Sequence, residues 1–169
     1  GTGIRYSDGL VTMTRSGDSL TLDLYHTGDG AILRFNNTSN TPVGNVNAGS
    51  STTSYNTTSD YRLKENVAPM TGALATVAQL KPVTYKWKST GANGQGFIAH
   101  ELKEIVPDCV SGEKDAVDSE GNPEYQGIDT SFLVATLTAA IQEAKALIDT
   151  QAETINALTA RIVALESRT

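Results

Sequence analysis

Residues 131–169 read SFLVATLTAAIQEAKALIDTQAETINALTARIVALESRT, and their spacing decides how the chain is organised. Every seventh residue gives Val134, Ile141, Ile148, Ile155 and Ile162. Three positions on, the same step gives Leu137, Ala144, Gln151, Leu158 and Leu165. Apolar residues at alternating steps of three and four form one stripe along an α-helix, the a and d positions of a heptad. The stretch has no Gly or Pro, and its Ala, Leu, Glu and Gln favour helix while Thr150, Thr154 and Thr159 weaken it. The spacing predicts one helix over 131–169, roughly 55 Å long at a rise of 1.5 Å per residue. A small domain cannot cover a stripe of that length, so partner helices are needed. The bland alternative is an amphipathic helix packed only on its own domain. Ile at a with Leu at d nominally favours dimers, but Ala144 and Gln151 depart from that pattern. The heptad therefore leaves the number of chains open, and polar Gln151 suits a marker of register.

Upstream of the helix, residues 60–130 pattern as a small α+β body. Met70–Leu80 has helical spacing through Leu74, Val77 and Leu80, and Pro82 stops it. Val83–Lys88 alternates like a strand. A loop over Gly91–Gly96 leads to a second short strand, Phe97–Ala99. His100–Val106 has room for one or two helical turns before Pro107, and Asp118–Pro123 reads as a polar loop tip.

Further upstream, residues 35–59 carry no charged side chain. They are Asn, Thr, Ser and Gly, with Val43, Val46 and Tyr55 interspersed. A disordered linker fits that composition. Extended chain that orders only by intertwining with other chains fits it too, because Thr and Asn are less permissive than pure Gly/Ser. Residues 1–35 pattern as short strands: Ser19–Tyr25 alternates, Thr27–Gly30 is a turn signal, and Ala31–Phe35 can return. They are too sparsely apolar to hold a core by themselves.

Composition excludes several function classes. Lys and Arg number 13 against 19 Asp and Glu, a formal charge of -6, which argues against a nucleic-acid footprint. Cys109 is the only cysteine, so no internal disulfide or iron–sulfur site can form. It reads as a small buried apolar side chain. His26 and His100 lie far apart with no cysteine partner, which leaves a zinc site unsupported, and no metal or other cofactor is expected. There is no Gly-rich phosphate loop and no Gly-x-Ser-x-Gly elbow. No run of 18 consecutive apolar residues occurs, so no membrane span is expected, and no secretory leader is visible at Gly1. The chain does not start with Met and reads as a fragment. Ser and Thr total 35, with many of them in the uncharged run.

The boundary between the uncharged run and the charged body is Thr57-Thr58-Ser59-Asp60-Tyr61-Arg62-Leu63-Lys64-Glu65-Asn66. Ser59 and Lys64 are a candidate nucleophile and base. A serine hydroxyl needs a base beside it, and a lysine serves when it is neutral as it accepts the proton. Arg62 is the nearest cation in sequence and a candidate for favouring that neutral form. Positions i and i+5 lie about 140° apart on a helix, so the pair cannot share a helical face. Ser59 must sit in a turn or extended segment, with Lys64 folding back. The bland alternative is a turn hydroxyl beside a solvated lysine. His100 and Glu101, after the Phe97–Ala99 stretch, are compatible with a polar site or a merely structural histidine.

These residues resemble the intramolecular chaperone domain of bacteriophage tail fibres and tailspikes, the S74 peptidase family, as in endosialidase tailspikes. The resemblance starts at Ser59–Asn66 and continues through Leu80-Lys81-Pro82-Val83-Thr84-Tyr85-Lys86-Trp87. Gly96–Leu102, Val106-Pro107 and Tyr125–Asp129 extend it, and the heptad helix closes it. It implies three parts: an intertwined β stalk end over 1–58, an α+β chaperone body over 59–130, and a trimeric coiled coil over 131–169. It further implies a homotrimer whose own N-terminal stalk is both client and substrate. Ser59 maps onto the family nucleophile and Lys64 onto its partner, with the cut between Thr58 and Ser59. His100 and Glu101 would assist, by orienting groups or stabilising the oxyanion. The cut would occur in the bacterial cytoplasm during assembly, leaving the fibre part on the virion tail and the chaperone part released. The competing reading is a structural trimerisation and adhesion tip that never cuts. A multiple-turnover serine peptidase is a more distant third, because no substrate-pocket residues are evident.

Overall fold

A computed structural model describes residues 3–7, 10–14, 24 and 28–168. The architecture is α+β, with small antiparallel sheets, short helices and one long C-terminal helix. The chain forms two compact units, Gly1–Val67 and Ala68–Thr169.

In the first unit, β1 (Gly3–Ser7) pairs antiparallel with β2 (Leu10–Thr14). The alternating stretch Ser19–Tyr25 lies outside the described residues except for Leu24, which is in no strand. A bend at Gly28 and Asp29 leads into β3 (Gly30–Asn36), where the return strand was expected. Next come β4 (Pro42–Ala48) and β5 (Thr53–Thr57), in a meander of order β3-β4-β5. The first turn is built by asparagine. The Asn37 carboxamide oxygen accepts the N–H groups of Ser39 and Thr41, both at 3.0 Å, and Asn40 takes a left-handed φ of 57°. The Gly49 N–H closes the second turn onto the Thr52 carbonyl at 2.8 Å. Across the sheet, the Asn56 amide donates to Asn45 Oδ1 at 2.9 Å from the position directly opposite. The uncharged run therefore forms paired strands, which corrects the disordered linker that its composition also allowed. The two short turns account for the difference, because they return the chain at low loop-closure cost.

In the second unit, the helix predicted over Met70–Leu80 contracts to α1 (Ala73–Val77). Gly72 sits before it with a left-handed φ of 73°, and the chain leaves through single turns at Gln79 and Leu80. Strand β6 (Val83–Lys86) pairs antiparallel with β7 (Asn93–Gly96). This corrects the strand predicted at Phe97–Ala99 and the loop predicted over Gly91–Gly96. Asn-Gly-Gln-Gly has no apolar alternation to register as a strand, and its role is to let Tyr85 lie close. A Cβ on Gly94 would come within 2.6 Å of the Tyr85 ring. Tyr85 in turn meets Trp87 edge to face, with ring centroids 5.2 Å apart.

Helix α2 (Ala99–Lys103) ends before a 3-10 turn that Pro107 opens. Strand β8 (Val110–Ser111) then pairs with β9 (Gly127–Ile128). The connecting loop tip is held by Asp118, which accepts the N–H groups of Glu120 and Asn122. Leu102, Cys109 and Leu133 form the core, backed by Leu80, Phe97, Val106 and Val110. Cys109 is fully enclosed as expected, and burial, aided by the Asp129 and Asp108 carboxylates, pushes its thiol pKa up.

Helix α3 (Leu133–Glu166) has 34 residues and follows a 3-10 turn capped by Asp129. Leu133 and Ala140 are buried, so its first turns rest on the body of this unit, and α1 packs against it. Beyond Ala144 every residue of the helix is exposed. The heptad stripe is mostly uncovered: Ile141 is 70% exposed, Ile148 59% and Ile155 61%. Residues Thr130–Glu166 are also long and apolar enough to cross a membrane, judged by length and composition. The expectation of no membrane span rested on unbroken apolar runs; this helix meets the averaged measure instead, through its many alanines.

Glu143 ties the two helices together. Its carboxylate accepts the N–H of Leu74 at 2.8 Å and of Ala73 at 3.0 Å, the free donors at the start of α1. Those two bonds, the Leu74 one foremost, hold the Glu143 carboxyl below its ordinary pKa. With a folded value below the unfolded one, the contribution is whole above the ordinary carboxylate range and is lost as pH falls through the lowered value. Glu143→Gln is expected to melt below the wild type at neutral pH, with the gap closing as melting is followed into acid.

Candidate functional site

The segment after β5 builds the site. Thr58 continues the β4–β5 ladder by one rung, its N–H donating to the Val43 carbonyl at 3.0 Å. The residue before Ser59 is thus fixed by the sheet of the first unit. Asp60 then caps a 3-10 turn over Tyr61–Leu63, accepting the Arg62 N–H at 2.9 Å. The Leu63 N–H bonds back to the Asp60 carbonyl, and the Lys64 N–H to the Tyr61 carbonyl, both at 3.1 Å.

That turn reverses the chain over one i-to-i+5 step. Lys64 Nζ lies 2.7 Å from Ser59 Oγ, a hydrogen bond between the two side chains. The continuous helix that would separate them by about 140° is absent at this segment. Hydroxyl and amine are thus within the reach that proton transfer requires. Thr58, Ser59 and Lys64 all belong to the first unit.

Arg62 is placed differently from its sequence-based expectation. Its guanidinium forks onto Asp60, with Nε 2.9 Å from Oδ1 and a terminal nitrogen 2.7 Å from Oδ2. The side-chain bond to Arg62, and then the backbone one, hold the Asp60 carboxyl below its ordinary pKa; the same pair raises that of Arg62. Arg62 is therefore matched by a carboxylate and is not a lone cation beside Lys64. Sequence reasoning passed over Asp60 as a functional residue. An acceptor side chain two residues before Arg62, at the start of a turn, is the signal that would have found it.

His100 and Glu101 lie on α2 of the second unit, both half-buried. Glu101 reaches Lys81 at 4.0 Å within that unit. Among the described residues no group of three or more His, Cys, Asp or Glu is arranged to hold a metal ion.

The rung at Thr58 gives a test remote from the dyad. Gly44 faces Thr57, and a Cβ there would come within 2.8 Å of the Asn56 carbonyl oxygen. Gly44→Val is expected to open the end of the β4–β5 ladder next to Thr58. Faster amide exchange at Thr58, with little change at residues 73–166, is the expected reading.

Comparison with known proteins converges on this segment. Residues 59–111 match the profile of the Peptidase S74 family, described as chaperone of endosialidase. The matched segment begins at Ser59 and includes Lys64. The long tail fiber protein Gp37 of Enterobacteria phage K3 is 29% identical over 174 residues, covering 99% of this chain. The Gp37 of Enterobacteria phage T2 is likewise 29% identical over 99% of this chain. The chain spans 12% and 11% of those two proteins, respectively.

Proposed function

We propose that this chain, which carries the S74 chaperone-of-endosialidase segment over residues 59–111, is the self-cleaving intramolecular chaperone end of a phage tail fibre. The observation that carries the reading is the 2.7 Å contact between Ser59 Oγ and Lys64 Nζ, at the first residue of the family match. Lys64 Nζ takes the hydroxyl proton as Ser59 Oγ attacks the Thr58 carbonyl carbon. The Oγ–C bond forms, the Thr58–Ser59 C–N bond breaks, and the Ser59 nitrogen takes up the proton to leave as an amine. Water then hydrolyses the ester, giving the Thr58 carboxylate and restoring the Ser59 hydroxyl. The contact between Ser59 and Lys64 within one chain supports a dyad that acts in cis. Mixed trimers of Ser59→Ala and Lys64→Ala chains should therefore remain uncut, whereas recovered cleavage would mean that neighbouring chains share the site. His100 and Glu101 are kept as assisting residues only.

The chaperone role rests on α3. Its seam, Val134, Leu137, Ile141, Ala144, Ile148, Gln151, Ile155, Leu158, Ile162 and Leu165, is suited to partner helices, and the family resemblance makes these two further copies of the chain. Ala144 is the seam residue most drawn toward the body; the rest are exposed. The stripe is one-sided, which favours partner helices over lipid. A helix of this kind nucleates locally, and joining three chains makes stalk pairing effectively intramolecular. Once folded, an interlocked stalk is held by its unfolding barrier, so the chaperone becomes dispensable. The fibre part then stays on the virion and the body with its coiled coil is released.

The non-cleaving adhesion tip is the second reading. Expression of the chain decides between them by whether it separates into 1–58 and 59–169.

A further inference from the structure

Asp60 has no part in the dyad chemistry, yet its carboxylate takes three bonds from Arg62, between the two dyad residues in sequence. One carboxylate oxygen accepts both the backbone N–H and the Nε of Arg62, and the other accepts a terminal guanidinium nitrogen. Two functions follow from one side chain. The backbone bond closes the turn over Tyr61–Leu63 that returns Lys64 to Ser59. The fork onto the guanidinium joins a cation and an anion into a neutral pair two residues from Lys64.

We infer that Asp60, acting with Arg62, is the positioning residue of the Ser59–Lys64 dyad and sets its geometry. This inference rests on the self-cleavage reading and deepens it. The geometry follows from chain reversal: without the cap the Arg62 N–H loses its side-chain acceptor, and the turn rests on the Leu63 and Lys64 N–H bonds alone, which loosens the approach of Lys64 to Ser59. Misplacement of a reacting group by about 1 Å can cost on the order of 100-fold in rate.

The experiment follows cleavage of the full chain by denaturing mass spectrometry, with four variants beside the wild type. Asp60→Ala, which loses cap and pair, is expected to cut at least about 10-fold more slowly. Asp60→Asn keeps an oxygen for the Arg62 N–H, and its loss is expected to be smaller. Arg62→Ala keeps the backbone N–H on Asp60 and is expected to lose less than Asp60→Ala. A merely structural role of the charge predicts no such rescue by Asp60→Asn. Amide exchange at Arg62 and Lys64 in a Ser59→Ala background reports the turn independently of cutting, and Asp60→Ala should accelerate it where Asp60→Asn does not. Wild-type cutting rates in both Asp60 variants, with Ser59→Ala intact, would overturn this inference and leave the dyad standing. Cutting of Ser59→Ala at the wild-type rate would instead overturn the dyad, and the inference with it.

Discussion

Ser59→Ala is expected to give an uncut chain of 17.9 kDa that still assembles as a trimer. In the proposed reaction the hydroxyl is the attacking group, and methyl in its place has no nucleophile to offer. Ser59 is exposed, at the end of a sheet whose rungs are made by other residues, so its loss removes little packing. On the proposed reading assembly rests on α3, far along the chain, and is expected to be untouched. Lys64→Ala should have nearly the same effect, because a serine without its base is a weak nucleophile. A loss of about 1000-fold or more in cutting rate is expected for each, in line with nucleophile and base acting as one unit. Purification of each variant, followed by mass measurement over days, checks this. Recovery of 1–58 from Ser59→Ala would show that another group attacks.

Ile148→Asp combined with Ile155→Asp is expected to abolish the trimer. Both isoleucines lie at a positions, and both are uncovered in the single chain, at 59% and 61% exposure. In a three-helix seam each substitution would bring three carboxylates together in an apolar layer. Burying an unpaired charge costs several kcal/mol per ion in real proteins, more than one heptad layer can offset. The body of the second unit should survive, because Leu133 and Ala140, not the mutated residues, join α3 to it. Light scattering should therefore report a monomer that retains helical circular dichroism from its folded body. A monomer that cuts at the full rate would separate cleavage from assembly.

The periodic elements were legible in the sequence, and the irregular ones were not. The heptad from Val134 to Leu165 marked α3 because burial on one side of a helix leaves a strong period. The alternation over Val83–Lys86 marked β6 for the same reason. Strand β7 escaped because Asn93–Gly96 joins its sheet through backbone bonds and the closeness of its glycines to Tyr85, neither of which leaves an apolar period. The uncharged run resembled a linker because its order comes from Asn37, Asn45 and Asn56 side chains, which are read as loop formers when seen singly. At the site, spacing required Lys64 to fold back on Ser59, and residue type made the pair a candidate. What spacing could not show was the agent of that reversal, since Asp60 and Arg62 look like ordinary surface charges until their geometry is known.

The most direct test of the account is the mass of the expressed chain under denaturing conditions, paired with its native mass. The account predicts that about a third of the chain, residues 1–58, separates from 59–169 with the break between Thr58 and Ser59, and that the native species contains three copies. A single intact chain of 17.9 kDa under denaturing conditions, from the wild type and after prolonged incubation as a native trimer, would contradict it.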